Sequence, residues 1–359
     1  MKNIMKIAFV LFGSFALLTS ANAGVVEVTG TAKATYNVSG SGTSTAPNNK
    51  GKAIGITNEL AFTGTGELDN GFTWKYQVEL DDNASGATTA DDTRLEVTTG
   101  YGTIAAYNTE GSLSTKYKSS QAAYATGSDY GSGGGMVYGE NISSYNNIQY
   151  HTPADLLPYG TSIKLAYSPS ADKTKASGNS AGSESTGGDG TSVSEYQISV
   201  SPVEGLTLVG SYFEKDGEGG KQEYETGGLS ATYSSGPISV GVTKFGVSSN
   251  NAGNDGTAKT ARRSTTNLKA YENMAMSAGL AVNDALSISY EVEKSDGQKR
   301  TATGSGVTDN SVELKVTTMQ AAYTMGGMTL ALGLKDISND DYAEGQDQSE
   351  TVLAVNMAF

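Results

Sequence analysis

Hydrophobic and polar residues alternate with a period of two along most of the chain. The clearest segment, residues 72–81, has five apolar positions, namely Phe72, Trp74, Tyr76, Val78 and Leu80. The residues between them are Thr73, Lys75, Gln77, Glu79 and Asp81. Because successive side chains of a strand point to opposite faces, this pattern predicts a strand with one apolar and one polar face. Segments of this kind recur down the chain and predict an all-β protein of sixteen strands.

The connections between these segments switch between short and long. Short ones include residues 67–71, 100–102 and 326–327, whereas long ones span 39–50, 83–91, 109–145, 170–191, 249–262, 295–308 and 336–349. Outer-membrane barrels have short turns at one end and longer loops at the other, whereas a soluble sandwich has no reason to keep that order. We therefore expect a 16-stranded antiparallel transmembrane β-barrel. Between Val316 and Met319 the apolar positions change parity, which predicts a β-bulge.

The amino-terminal residues have the features of an export signal. Lys2 and Lys6 precede an apolar run, and Ala21-Asn22-Ala23 is a small-polar-small cleavage site. The apolar run is about 12 residues, shorter than the roughly 20 that a spanning helix needs. We therefore expect residues 1–23 to be a signal peptide and residues 24–359 to form the barrel.

The composition fits a barrel with a water-filled interior. The mean hydropathy is −0.33, as expected when half of each strand faces water, and the chain has no cysteine for disulfides. The net charge of −14 becomes −16 once Lys2 and Lys6 leave with the leader. Phosphate binding needs clustered Lys and Arg, so this charge argues against a nucleic-acid partner. It favours a pore that accepts cations.

Five features carry a resemblance to a known family. They are the strand 72–81 with its acidic loop, Arg94-Leu95-Glu96-Val97 leading into Gly100-Tyr101-Gly102-Thr103, the long third outer loop, Asn147-Ile148-Gln149-Tyr150-His151-Thr152-Pro153, and the terminal Phe359. With them, the chain from Gly24 onward resembles the general diffusion porins of Gram-negative bacteria. The resemblance implies a passive outer-membrane channel for small hydrophilic solutes and ions, usually a homotrimer. It also implies no enzymatic activity.

The resemblance implies that the third outer loop, residues 109–145, folds into the barrel and narrows the pore. The loop's acids, Asp129, Glu140 and Glu110, would face basic side chains on the opposite wall. Lys33, Lys75 and Arg94 lie on the polar faces of their strands and are the basic candidates. The turn that enteric members carry in this loop is absent, and Ser128-Asp129-Tyr130-Gly131 stands near its place. Acids in a narrow passage attract cations, so we expect mild cation selectivity.

Phe359 ends an amphipathic strand and, by the same resemblance, is part of the signal read by the barrel-assembly machinery after export through the periplasm. We expect the barrel to be surrounded by outer-membrane lipid. Small outward groups at Gly30, Ala32 and Ala34 would allow subunits to pack closely.

Other functions have weaker support. A substrate-specific channel would need an aromatic lining, but the polar faces carry mostly Thr, Ser, Glu and Lys. A barrel enzyme would need His151, the only histidine, to have a nucleophile and an orienting acid nearby. No cofactor is expected, although the outer-loop acid pairs Asp81-Asp82, Asp91-Asp92 and Asp340-Asp341 could bind Ca²⁺.

Overall fold

The computed structural model describes residues 24–42, 52–82, 88–131, 136–169, 192–216, 224–248, 267–303 and 306–359. The expected signal peptide lies outside these residues. The described residues form sixteen strands: β1 Val25–Gly42, β2 Ile54–Glu67, β3 Thr73–Asp82, β4 Thr88–Thr99, β5 Gly102–Asn108, β6 Asn147–His151, β7 Ser162–Ser168, β8 Val193–Val203, β9 Leu206–Lys215, β10 Tyr224–Ser235, β11 Ile238–Ser248, β12 Asn267–Ala281, β13 Leu286–Thr303, β14 Gly306–Met325, β15 Met328–Ser338 and β16 Gln348–Ala358.

Each strand pairs antiparallel with its neighbours in sequence, and β16 pairs with β1 to close the barrel. The predicted fold class, a sixteen-stranded antiparallel barrel, is therefore confirmed. Phe359 continues the closing ladder, because its N–H donates to the carbonyl of Gly30 at 3.0 Å and its carbonyl accepts from the Gly30 N–H at 2.9 Å. Within the part of the chain that the structure describes, no helix is long and apolar enough to cross a membrane.

The strands have an apolar face and a polar face, as the alternation predicts. Large apolar side chains such as Leu165, Tyr290 and Leu353 are exposed on the apolar face. Gln149, Glu195 and Gln320 belong to the polar face and are buried. A barrel that stands in lipid needs this arrangement, because its apolar side chains then contact lipid.

The predicted β-bulge between Val316 and Met319 is wrong. The β14–β15 register runs without interruption from Val316, opposite Ile337, to Met319, opposite Leu334. Leu314 and Val316 are apolar residues on the polar face, where they pack with Met136 and Val137, whereas Met319 is exposed on the apolar face. The apolar positions therefore change parity because another part of the chain covers the polar face there.

The predicted long loop at residues 295–308 is also wrong. β13 continues to Thr303 and β14 begins at Gly306, and their ladder is unbroken from Leu286–Tyr323 to Thr303–Gly306. Register shifts do occur elsewhere, for example between Asn37 and Ser39 in β1. The other predicted long connections each coincide with a break between strands to within four residues at either end.

Candidate functional site: the segment between β5 and β6

The segment between β5 and β6, residues 109–146, is hydrogen-bonded to polar-face side chains in a regular progression. The Leu113 N–H donates to Glu195 of β8 at 3.2 Å. The Ser119 hydroxyl pairs with Thr243 of β11 at 2.6 Å. Farther on, the Ala123 N–H donates to Ser289 of β13 and those of Tyr124 and Ala125 to Gln320 of β14. The first half of the segment thus follows the barrel wall from β8 towards β15.

The second half returns along the same strands. The Asn273 amide of β12 donates to the Val137 carbonyl at 2.8 Å. The hydroxyl of Thr226, on β10, donates to the Glu140 carbonyl at 3.0 Å, and the Ile142 N–H donates to Glu195 at 3.0 Å. Glu195 therefore accepts hydrogen bonds from both ends of the segment through the same carboxylate oxygen.

At Tyr130 the segment meets β15 and β16. The ammonium of Lys335 donates to the Tyr130 carbonyl at 2.8 Å, and the Tyr130 hydroxyl donates to the Val352 carbonyl at 2.8 Å. Lys335 also lies 3.9 Å from the carboxylate of Glu350, and both side chains are almost fully buried. A Cβ on Gly333 would stand 2.0 Å from the Tyr130 ring, so this close approach requires glycine there.

Aromatic residues fill the space between the segment and the wall. Tyr145 stacks on Phe213 of β9 with ring centroids 6.4 Å apart, and Tyr138 meets Phe245 of β11 at 6.3 Å. All four rings are buried. Phe213 and Phe245 stand on the polar faces of β9 and β11. In the sequence, an aromatic residue at a polar-face position, such as Phe213 or Phe245, indicates that another part of the chain covers the wall there.

The predicted acids of the segment have different surroundings. Asp129 is exposed, and its carboxylate accepts from the Thr126 hydroxyl at 2.9 Å. Glu140 lies 3.9 Å from the ammonium of Lys215 and accepts a hydrogen bond from Tyr145. Glu110 lies 3.6 Å from the Arg94 guanidinium. Burial raises the pKa of Glu110 to about 7, although Arg94 opposes this shift.

The predicted bases Lys33, Lys75 and Arg94 lie on the polar faces of β1, β3 and β4. Lys33 places its ammonium 5.4 Å from the centre of the Tyr124 ring. Arg94 lies 3.9 Å from Glu96 and donates to the Gln77 amide oxygen at 3.1 Å. Of the predicted pairings between acid and base, these contacts bring together Glu110 and Arg94.

Acids that sequence reasoning passed over share this wall. Glu59 is paired with Asp81, and Ala61 with Glu79, across β2 and β3. Glu96 is paired with Lys75 across β3 and β4. These acids alternate with apolar residues, so parity places them on the polar face. On this wall the acids are therefore at least as numerous as the predicted bases.

The structure also places the histidine and one acid pair that the sequence singles out. His151 lies 2.8 Å from the Gln149 amide oxygen and is paired with Lys164 across β6 and β7. Asp340 and Asp341 lie in a 3₁₀ turn, Asp340–Tyr342. Among the described residues, no three or more Asp, Glu or His side chains group closely enough to hold a metal ion.

Comparison with known structures shows the same architecture at low sequence identity. OmpF of Salmonella typhi, solved with daunomycin, is 13% identical with a TM-score of 0.62, covering 94% of this chain and 98% of that one. An anion-selective porin from Comamonas acidovorans is 10% identical with a TM-score of 0.60, covering 94% and 100%. OmpT of Vibrio cholerae in a trimer form is 10% identical with a TM-score of 0.57, covering 94% and 100%. A search of curated sequences finds no match.

The family model described as Gram-negative porin matches residues 8–341, most of the chain. This match and the closed barrel indicate a channel in the outer membrane. The protein belongs to the Gram-negative porin family.

Proposed function

We propose that this porin is a passive, water-filled diffusion channel for small hydrophilic solutes and ions, with a mild preference for cations. The hydrogen bonds of residues 109–146 to the polar faces of β8, β11, β13 and β14 carry the proposal. The polar faces of a transmembrane barrel surround its lumen. The segment therefore lies inside the barrel, where it narrows the passage.

In this arrangement the passage runs between the segment and the wall of β1–β4. Glu59, Glu79, Asp81 and Glu96 belong to that wall together with the bases Lys33, Lys75 and Arg94. Glu110 and the exposed Asp129 add negative charge from the segment. Acids thus outnumber bases in this group, and a narrow passage of this kind favours cations.

The channel catalyses no reaction in this proposal, and diffusion down a gradient needs no cofactor. We further propose a homotrimer in outer-membrane lipid, in keeping with the trimer form of OmpT. Phe359 would serve as part of the assembly signal. Its ring already covers Gly30, because a Cβ there would stand 2.7 Å from the Phe359 Cζ atom. Ala32 and Ala34 are therefore the small outward groups left for contact between subunits.

The test is the zero-current potential of single channels in a planar bilayer under a salt gradient. The natural protein should show cation preference. Asp129→Asn with Glu140→Gln should shift the potential towards anions while the folded protein is retained. Asp129→Asn should contribute more to the shift in zero-current potential than Glu140→Gln, because Glu140 already has Lys215 as a counter-charge.

The control is Glu204→Gln with Asp284→Asn, which removes the same charge from the exposed short turns between β8 and β9 and between β12 and β13. Exposed charges are screened within about 8–10 Å at ordinary salt, so this pair should change the potential much less. Equal shifts from both pairs would mean that net charge governs the pore and that the segment does not form the constriction.

A further inference from the structure

Three side chains beneath the β5–β6 segment have surroundings that the channel function leaves unexplained. Glu291 and Glu293 lie two residues apart on the polar face of β13, and Thr318 is paired with Glu291 across β13 and β14. Their exposed fractions are 2%, 1% and 1%. The wall thus contains two adjacent carboxylates and a hydroxyl that are shielded from water.

The hydrogen-bond donors around these carboxylates are neutral groups. Glu291 accepts from the Ser120 hydroxyl at 2.5 Å and from the Gly127 N–H at 2.6 Å. Glu293 accepts from the hydroxyls of Ser128 at 3.3 Å and Tyr138 at 3.1 Å through one oxygen, Oε1. The nearby ammonium of Lys335 is 3.9 Å from Glu350 and also donates to the Tyr130 carbonyl.

Two oxygens of this group have no hydrogen-bond partner in the protein. They are Glu293 Oε2 and Thr318 Oγ1, both buried. A Cβ built on Gly127 would lie 3.1 Å from Thr318 Oγ1, 3.3 Å from Glu291 Oε1 and 3.3 Å from Glu293 Oε2. The three oxygens therefore converge on one region beneath Gly127, and two of them have unused acceptor capacity.

Among the residues that the structure describes, no cation donates a hydrogen bond to either of these carboxylates. Two buried carboxylates repel each other, and burial of charge is costly unless a counter-charge or a proton compensates it. One shared proton would leave one carboxylate charged. A proton on each carboxylate would neutralise both, but it would not explain why the Thr318 hydroxyl points to the same region. A cation bound by all three oxygens would compensate both carboxylates at once.

We propose that Glu291, Glu293 and Thr318 form a binding site for a hard divalent cation, Ca²⁺, beneath Gly127. All the donors are oxygens, which hard cations prefer, and two carboxylates match a charge of two. Ca²⁺ accepts irregular geometry, whereas Mg²⁺ demands a nearly ideal octahedron. Water and backbone carbonyls would complete the shell. The ion would fix the segment to β13 and β14, whatever solute the channel passes.

Terbium luminescence tests the site in the folded protein in detergent after treatment with a chelator. Tb³⁺ is a luminescent substitute for Ca²⁺, and Tyr138, whose hydroxyl lies 3.1 Å from Glu293, would sensitise it. The natural protein should give a saturable signal that Ca²⁺ displaces at much lower concentration than Mg²⁺. Glu293→Gln should weaken binding by at least about tenfold, by analogy with the 10–100-fold losses seen when outer-shell partners of metal ligands are changed. Thr318→Val should weaken it less.

Glu195→Gln is the matched control. Glu195 is also buried and also holds the segment through two backbone N–H groups, yet its carboxylate lies on β8. This variant should bind Tb³⁺ like the natural protein. If Glu293→Gln does not fold, Thr318→Val alone decides, since it removes one oxygen and keeps the side-chain shape.

Two results would overturn the proposal. Equal Tb³⁺ binding by the natural protein and by Thr318→Val or Glu293→Gln would place the ion elsewhere, for example at the outer-loop acids. Absence of a sensitised signal in the natural protein would show that no ion binds beneath Gly127. A loss of ion binding with unchanged conductance would leave the proposed channel function intact, so the two proposals fail separately.

Discussion

The barrel wall has two regions whose polar side chains have different roles. On β8–β16 the polar side chains bind the β5–β6 segment and are mostly buried, as Glu195, Gln320 and Lys335 are. On β1–β4 charged side chains such as Arg94 keep part of their surface exposed. Where the β5–β6 segment is hydrogen-bonded to the wall, the polar residues therefore hold the segment in place. On β1–β4 we propose that the polar residues act on the ions that pass through the pore.

Replacing one lysine in each region should give the largest difference between the two regions. Lys335→Met would leave Glu350 buried without its ion pair and the Tyr130 carbonyl without its donor, which should cost about 3–5 kcal/mol of unfolding free energy. Urea unfolding of the folded protein in detergent measures this loss. Single-channel conductance should also rise, because the turn at Tyr130 is no longer held.

Lys33→Met is the control on the uncovered wall. Lys33 faces the Tyr124 ring at 5.4 Å, and such a contact contributes about 0.5–1 kcal/mol. Its loss should change ion selectivity more than stability. Similar losses of unfolding free energy for Lys335→Met and Lys33→Met would contradict the difference between the two regions.

A second pair of changes tests the two faces of one strand. Leu165 is exposed on the apolar face of β7, whereas its neighbour Lys164 lies on the polar face, paired with Gln197. Leu165→Arg should cost about 2–4 kcal/mol in a bilayer near its midplane, and Lys164→Arg close to nothing. Folding into lipid vesicles with urea titration measures both, and equal costs would mean that the register of β7 is wrong.

The smallest expected effect comes from the titration of Glu110. Its pKa is raised to about 7, so the carboxyl is charged above that pH and neutral below it. As the pH falls from 8 to 6, the natural channel should lose part of its cation preference through this group. Glu110→Gln should lack that part of the response. An unchanged pH profile in the variant would show that Glu110 does not act on the permeating ions.

Much of this arrangement follows from period-two patterning. The strand number follows from the recurring alternating segments and the antiparallel order from the short connections. The sides of Lys33, Lys75 and Arg94 follow from parity, because a strand has only two faces. The course of residues 109–146 does not, since it depends on contacts with strands far away in sequence, such as Gln320 and Lys335. The same contacts explain the wrong bulge at Val316, whose apolar side chain is covered by the segment.

Pairing of charges was harder to predict than their faces. Parity does not apply to Glu140 and Asp129, which lie in the long connection, so the prediction that they face the opposite wall rests on the family resemblance alone. The segment brings Glu110 to Arg94, one of the expected bases, but brings Glu140 to Lys215 of β9, because its backbone is held by Glu195 and Thr226. Partners of loop charges are set by where the loop is fixed, which local sequence does not encode.

An engineered disulfide between Ser119 and Thr243 tests the central claim most directly. Their hydroxyl oxygens lie 2.6 Å apart, and the chain has no natural cysteine to compete. Ser119→Cys with Thr243→Cys should cross-link under mild oxidation, seen as a faster band on a non-reducing gel, with unchanged single-channel conductance. Ser119→Cys with Thr63→Cys, on the uncovered wall, should not. A cross-link that forms equally with Thr63→Cys, or a failure with Thr243→Cys, would contradict a segment fixed against β8–β16.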